Sequence, residues 1–141
     1  MDLRYKRAVD TRRIYLFEAV FTRHLPSYVW MERSIQFLRT TAMVVWMKHG
    51  RRGLNVPTIE FHRGLTRDGE LYSYSDGFRY IALAPTQRNV MILLHELTHA
   101  MGYGSPHGDS FAHKYAELLV EYGGCDEGLL VLFLANVGIK I

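Results

Sequence analysis

The spacing of apolar positions changes twice along the chain, and it predicts helices at both ends with strands between them. Up to about residue 49 the apolar residues recur every three or four positions, which is typical of helices with one buried face. Two helices are therefore predicted, Leu3–His24 and Ser27–His49, separated near Pro26. The positions of the first helix that should face the core are Val9, Leu16, Phe17 and Val20.

The middle of the chain alternates with a period of two, and we predict three strands there: Thr58–Arg63, Glu70–Ser75 and Phe78–Ala84. Asp68-Gly69 and Asp76-Gly77 separate them. Asp-Gly between alternating segments favours a tight hairpin, because glycine accepts the positive φ that such turns need. The pattern indicates a short antiparallel meander. Its aromatic residues are interpreted as packing residues rather than a ligand platform: Tyr72, Tyr74, Phe78 and Tyr80.

Helical spacing returns after Pro85. A third helix is predicted over about Gln87–Met101, with Thr86 as its N-cap, and a fourth over Asp109–Tyr122. A fifth helix, capped by Asp126, is apolar almost all round, so we expect it inside the core. The buried stripe of the fourth helix should comprise Phe111, Tyr115, Leu118, Leu119 and Tyr122.

This order of elements predicts an α+β fold in which helices pack on one face of a small, mostly antiparallel sheet. A chain of 141 residues fits one compact domain, so residues 1–141 are interpreted as a single domain. The strand Phe78–Ala84 directly precedes the third helix, and we expect it to form the rim of a cleft beside that helix. An extended peptide would pair with such a rim by strand addition.

The amino-acid composition limits the disulfides, the cellular compartment and the partners expected for the protein. The single cysteine, Cys125, excludes an intramolecular disulfide and a cysteine-rich zinc knuckle. The basic start lacks the apolar stretch of a signal peptide, and no apolar run approaches the roughly 20 residues that span a bilayer. We therefore expect a cytoplasmic protein without a membrane partner. The net charge is +3, and the basic residues are concentrated before residue 70. This pattern is typical of a solvated basic helix face and gives only weak support to a nucleic-acid contact.

The segment His95-Glu96-Leu97-Thr98-His99 carries the most specific chemistry. Residues four apart lie on the same face of a helix, so the two imidazoles can bind one zinc ion. Glu96 is rotated about 100° from His95, where it can reach a water in the open position of the metal. The rest of the helix is apolar, and burying two imidazoles there without partners would cost several kcal/mol. The pattern thus predicts a zinc site in which Glu96 is the general base.

A catalytic zinc normally has a third protein ligand. His107 is the best candidate, because Gly102, Gly104 and Pro106 let the chain leave the helix and fold back toward the metal. The competing candidates are Glu117 and Glu121 of the following helix, which would complete a site with two histidines and one glutamate. Each of the three has an ordinary alternative role, His107 as a loop residue and the two glutamates as part of a solvent-facing helix surface. The remaining histidines lack ligand spacing: His24, His49, His62 and His113.

Residues His95–Phe111, HELTHAMGYGSPHGDSF, resemble the active-site segment of SprT-like zinc metallopeptidases. In that family an HExxH helix is followed by a His-Gly-x-x-Phe motif whose histidine is the third zinc ligand. The resemblance implies that His107 binds zinc, that Gly108 forms the turn and that Phe111 packs in the core. The whole chain is similar to small metallohydrolases encoded by actinobacteria and phages, which implies a minimal zincin-like fold.

The function expected from these motifs is zinc-dependent hydrolysis, with a peptide or protein as the substrate. Glu96 would take a proton from the attacking water and deliver it to the leaving amine. Tyr103 or His113 is a candidate for a second electrophile. Two alternatives remain at this stage: a zinc hydrolase acting on another amide or ester, and a non-enzymatic binding module that zinc stabilises.

Overall fold

The computed structural model of the chain describes residues 3–62, 65–67, 70–103 and 108–141. These ranges contain six α-helices, five strands and a short 3-10 helix at Thr22–His24. The α-helices are α1 Leu3–Phe21, α2 Ser27–Trp30, α3 Ile35–His49, α4 Val90–Ala100, α5 Asp109–Gly123 and α6 Glu127–Asn136. The strands are β1 Thr58–Phe61, β2 Leu65–Arg67, β3 Glu70–Tyr72, β4 Tyr74–Asp76 and β5 Tyr80–Leu83. The predicted α+β class is confirmed.

The contacts divide the chain into two compact units. The middle unit is continuous and comprises Met31–Gly102. The terminal unit combines the two ends of the sequence, Met1–Trp30 and Tyr103–Ile141. Among the described helices of both units, none is long and apolar enough to cross a membrane.

The principal sheet of the middle unit has the strand order β1-β5-β4. β4 and β5 form the antiparallel hairpin predicted at Asp76-Gly77, and Gly77 adopts the positive φ (52°) that this turn requires. β1 pairs with β5 in parallel, so the prediction of a simple antiparallel meander is wrong. The chain makes an excursion through β2, β3 and β4 before it returns beside β1 in the same direction, and β2 and β3 form a separate antiparallel pair.

β5 is the central strand of this sheet, with β1 on one side and β4 on the other. Ile81 lies opposite Ile59 of β1 and Ser75 of β4. Both edges of β5 are therefore engaged by neighbouring strands, and an added peptide strand has no edge to pair with there. The expectation that an extended peptide would pair with the Phe78–Ala84 strand is therefore wrong. Within the described residues the outer strands of this sheet are β1 and β4.

One face of the sheet packs against helices α3 and α4. Ile59, Ile81 and Leu83 are almost fully buried, whereas Glu60, the neighbour of Ile59, is exposed. Side chains on a strand alternate between faces, so this alternation on β1 marks the side that meets the helices. The sheet and α3 thus form the support against which α4 is held.

Local hydrogen bonds explain why two predicted helices have different bounds. The predicted Ser27–His49 helix is divided into α2 and α3, because the Ser34 hydroxyl accepts a hydrogen bond from the Phe37 amide at 3.2 Å and starts a new helix. α4 begins at Val90, not near Gln87, because Asn89 caps it by accepting from the Ile92 amide at 2.9 Å. The predicted cap, Thr86, lies in the preceding turn.

The terminal unit has an aromatic core. The rings of Phe17 and Tyr115, both at most 1% exposed, meet edge to face with centroids 6.4 Å apart. The Tyr115 hydroxyl donates a hydrogen bond to the Glu18 carboxylate at 2.7 Å, which joins α1 to α5. α5 agrees closely with the predicted Asp109–Tyr122 helix, and Phe111 is buried as expected.

Two predictions of burial in this unit are wrong. Leu16 and Val20 of α1 are about half exposed, although both were expected to face the core. α6 is a surface helix in which Leu130 and Leu134 are the buried positions, while Leu132 is 64% exposed. An all-apolar helix has no polar stripe to indicate its outer face, so the sequence pattern predicted more burial of α6 than the structure shows.

Candidate functional site

The predicted metal-binding pentapeptide lies in the second half of α4. The Asn89 cap fixes where this helix begins, and α4 contacts α3, β4 and β5. Nine of its eleven residues are buried; the two that are not are Ile92 and His99. His95 and Glu96 are 3% and 6% exposed, and His99 is half-buried. The helix therefore holds two imidazoles and one carboxylate against a packed wall, with His99 on the more accessible side.

The separation of the two imidazoles allows a test of whether they fit one metal ion. Their ring centroids are 5.1 Å apart and the ring planes are inclined by 58°. Zinc binds imidazole nitrogen at about 2.0–2.1 Å, which places each ring centroid about 3.2 Å from the ion and two centroids about 5.2 Å apart at the tetrahedral angle. The observed separation of His95 and His99 agrees with this value. The distance between the two rings is therefore compatible with one shared ion.

Glu96 and Thr98, the other polar residues of the pentapeptide, are both buried but differ in their chemistry. The Thr98 hydroxyl donates a hydrogen bond to the Leu94 carbonyl at 2.7 Å, so the helix itself satisfies it. Glu96 carries a carboxylate, which is costly to bury unless nearby groups interact with it. Glu96 interacts with a neighbouring group, which compensates for its burial.

The chain turns sharply just after His99. The Gly102 amide donates a hydrogen bond to the His99 carbonyl at 2.9 Å, and Gly102 has a φ of 101°. A Cβ at this position would meet no atom within 4 Å, so glycine is needed for its backbone conformation rather than for space. This conformation lets the chain leave the helix, as expected for Gly102. His107, the predicted third ligand, lies in residues 104–107, outside the described ranges, so its role stays a prediction.

The remaining candidates belong to the terminal unit. Glu117 and Glu121 are exposed on α5, and Lys114 lies 3.4 Å from the Glu117 carboxylate. Both glutamates line a cavity of about 390 Å³ together with His113, Glu127 and Leu130. His113 and Tyr103, the two candidate electrophiles, are exposed.

Sequence reasoning missed a polar aromatic cluster on the sheet. The Tyr74 and Tyr80 hydroxyls are 3.2 Å apart, and the His62 ring meets the Tyr74 ring edge to face at 5.3 Å. The hydrogen bond with Tyr80, followed by burial and by the charges of Glu60 and Asp76, raises the pKa of Tyr74. The Tyr74 phenol is therefore a neutral hydrogen-bonding group at physiological pH. The hairpin register could have indicated this pair, because Asp76 lies opposite Tyr80 and Tyr74 lies two positions along the same face.

Comparisons with protein-family profiles, with curated proteins and with solved structures found no match to this chain.

Proposed function

We propose that this protein is a zinc-dependent hydrolase and that its substrate is a peptide or protein. In this proposal His95, His99 and His107 bind the metal, and Glu96 is the general base. The observation that carries it is the 5.1 Å separation of the His95 and His99 rings, which agrees with the value expected for two ligands of one zinc ion. The adjacent buried carboxylate supports catalysis over a purely structural site, since a structural zinc needs no general base.

The proposed chemistry assigns a simple role to each residue of α4. When bound, zinc supplies a Lewis acid that polarises a scissile carbonyl and makes a water more acidic. Glu96 accepts the proton of the attacking water and later returns it to the leaving amine. His95 is buried, which restricts its ring and lowers the entropic cost of ordering it when the metal binds.

The same residues support a place among SprT-like zinc metallopeptidases with a minimal zincin-like fold. That proposal depends on the HExxH segment in α4 and on the His-Gly-x-x-Phe motif that ends at the buried Phe111. We further propose that the protein acts in the cytoplasm, where a reducing environment keeps the lone Cys125 as a thiol.

Metal analysis and a Glu96→Gln variant test the function together. Purified wild-type protein should contain one zinc per chain and hydrolyse a fluorescently labelled unfolded protein such as casein. Glu96→Gln should keep the zinc and lose at least about a hundredfold in turnover, because the amide cannot accept a proton. Glu32→Gln, an exposed glutamate on the loop before α3, is the matched control and should retain full activity.

Separate histidine variants test the ligand set. His95→Ala and His99→Ala should each remove the zinc, and His107→Ala should do so while Glu117→Gln and Glu121→Gln leave it bound. If a glutamate variant loses zinc and His107→Ala retains it, that glutamate is the third ligand instead of His107, and the proposed hydrolase function is unaffected. Full turnover in Glu96→Gln, or activity in metal-free protein, would contradict the proposed mechanism itself. If the wild type and Glu96→Gln both retain zinc and neither hydrolyses the substrate, the zinc-stabilised binding module is favoured.

A further inference from the structure

The outer face of α3 exposes apolar side chains where a surface helix normally carries polar ones. Leu38, Ala42, Val45 and Trp46 form its buried face. On the opposite face Met43, Val44 and Met47 are 56%, 52% and 83% exposed. These three positions are neighbours on the helix surface, because residues three and four apart lie side by side. Adjacent exposed apolar side chains of this size indicate a surface that contacts something else.

Cations follow this apolar face at the end of the helix. Lys48, Arg51 and Arg52 are all exposed. The Arg51 guanidinium lies over the ring of Phe78, 5.6 Å from its centroid, and Phe78 is itself 41% exposed at the tip of the β4–β5 hairpin. This contact brings the hairpin tip beside the end of α3. We name the residues Met43, Val44, Met47, Lys48, Arg51, Arg52 and Phe78 the α3 surface.

Two hydrogen bonds show that the hairpin tip and the end of α3 lie at the same end of the middle unit. The Trp46 indole donates a hydrogen bond to the Leu54 carbonyl at 2.8 Å, which folds the following loop back on α3. The Thr58 amide, at the start of β1, donates to the Arg79 carbonyl of the hairpin tip at 3.0 Å. Asp76 lies 3.4 Å from the Arg79 guanidinium, so this pair adds no net charge. The positive charge of the surface comes from the exposed Arg51 and Arg52.

We propose that the α3 surface docks peripherally on an anionic lipid bilayer. Cations attract the anionic headgroups, and the adjacent methionines, Val44 and Phe78 enter the boundary between headgroups and acyl chains. A nucleic-acid backbone would use the same cations but would leave Met43, Val44 and Met47 exposed. The lack of a long apolar run in the sequence predicted no membrane partner, whereas this surface arises only when α3 buries its other face.

Vesicle flotation tests the proposal with the full-length protein. Wild-type protein should bind phosphatidylcholine vesicles that contain about 30% phosphatidylglycerol and should bind pure phosphatidylcholine at least about tenfold more weakly. Arg51→Gln with Arg52→Gln should weaken binding to the anionic vesicles roughly 30-fold, since each cation near such a surface contributes about fivefold. Met43→Gln with Met47→Gln should weaken it at least about tenfold while the charge is unchanged.

Two controls distinguish docking by the α3 surface from nonspecific hydrophobic adsorption and from the proposed catalysis. Leu129→Gln with Leu132→Gln removes a second pair of exposed apolar residues, which lies on α6 behind Asp126 and Glu127. Because that helix begins with carboxylates, this variant should bind anionic vesicles like the wild type. Glu96→Gln should also bind normally, so docking and hydrolysis can fail independently. Far-UV circular dichroism and the thermal midpoint show that each variant is folded.

Several outcomes would overturn the proposal. Equal binding to both vesicle types, no binding to either, or an equal loss in the α6 variant would each exclude the α3 surface as an anionic docking site. Binding to short duplex DNA that depends on Arg51 and Arg52 but not on the methionines, without vesicle binding, would assign the surface to nucleic acid instead.

Discussion

At the scale of single residues, burial decides what Cys125 can do. The side chain is 5% exposed at the start of the turn into α6, and burial raises the pKa of the Cys125 thiol to about 11. The thiolate is the reactive form of cysteine, so this thiol is inert near neutral pH. It therefore belongs to the packing of the terminal unit and not to the chemistry proposed for α4.

The raised pKa of Cys125 predicts a loss of stability at alkaline pH. In the unfolded chain the thiol ionises near its ordinary value of about 9, whereas in the folded protein it keeps its proton up to about pH 11. The unfolded state therefore binds fewer protons between these values, and the free energy of unfolding falls as pH rises through them. The thiol contributes at most on the order of 2–3 kcal/mol to this loss.

Urea unfolding of wild type and Cys125→Ala at pH 8 and pH 10.5 measures the contribution of this thiol, since other groups titrate equally in both proteins. The gap between the two stabilities should shrink or reverse at the higher pH. A gap independent of pH would show that the thiol titrates alike in the folded and unfolded states.

At the scale of elements, the start of α4 is set by one side chain. The Asn89 amide oxygen accepts from the Ile92 amide, whereas Thr86 is exposed in the turn before it. Asn89→Ala should lower the free energy of unfolding by about 1 kcal/mol, because it leaves a helical amide without its cap. Thr86→Ala is the matched control and should change it by less than about 0.5 kcal/mol. Chemical denaturation measures both, and the reverse order would restore Thr86 as the cap.

The elements that the sequence predicted well are those fixed by local geometry. α5 has an unambiguous stripe of apolar positions, and Asp76-Gly77 marks a real hairpin turn. The parallel pairing of β1 with β5 was missed because it joins segments about 20 residues apart, and no local pattern encodes that register. The break before α3 was missed because Ser34 acts through a hydrogen bond and not through hydrophobic spacing.

The candidate site shows the same division between local and non-local information. Residues four apart on a helix must share a face, so the pairing of His95 and His99 followed directly from their spacing. Phe78 was interpreted as a packing residue, yet it is exposed beside Arg51, because its environment depends on a contact between hairpin and helix. The tyrosine pair on the sheet likewise required the strand register.

At the scale of the whole molecule, zinc should stabilise the folded protein if α4 holds it. A ligand at 100 times its dissociation constant adds about 2.7 kcal/mol to the free energy of unfolding. For a chain of this size the thermal midpoint should rise by roughly 8–12 °C over that of the chelator-treated protein. Differential scanning calorimetry with and without zinc measures this shift.

The control for zinc stabilisation is the double variant His95→Ala with His99→Ala, whose thermal midpoint should not respond to the metal. An equal rise in the double variant would place the stabilising ion elsewhere in the molecule. If the thermal midpoint of the wild type does not rise at saturating zinc, α4 does not bind zinc tightly enough to stabilise the fold.

The terminal unit is built from both ends of the sequence, so it cannot form until the last of its segments has been synthesised. α1 and α2 leave the ribosome before α5, which supplies Tyr115 against Phe17 and is made only after the 72 residues of the middle unit. At roughly 5–20 residues per second that interval lasts about 4–14 s. The nascent N-terminal segment therefore spends seconds in which Phe17 lacks the ring that it packs against in the folded unit.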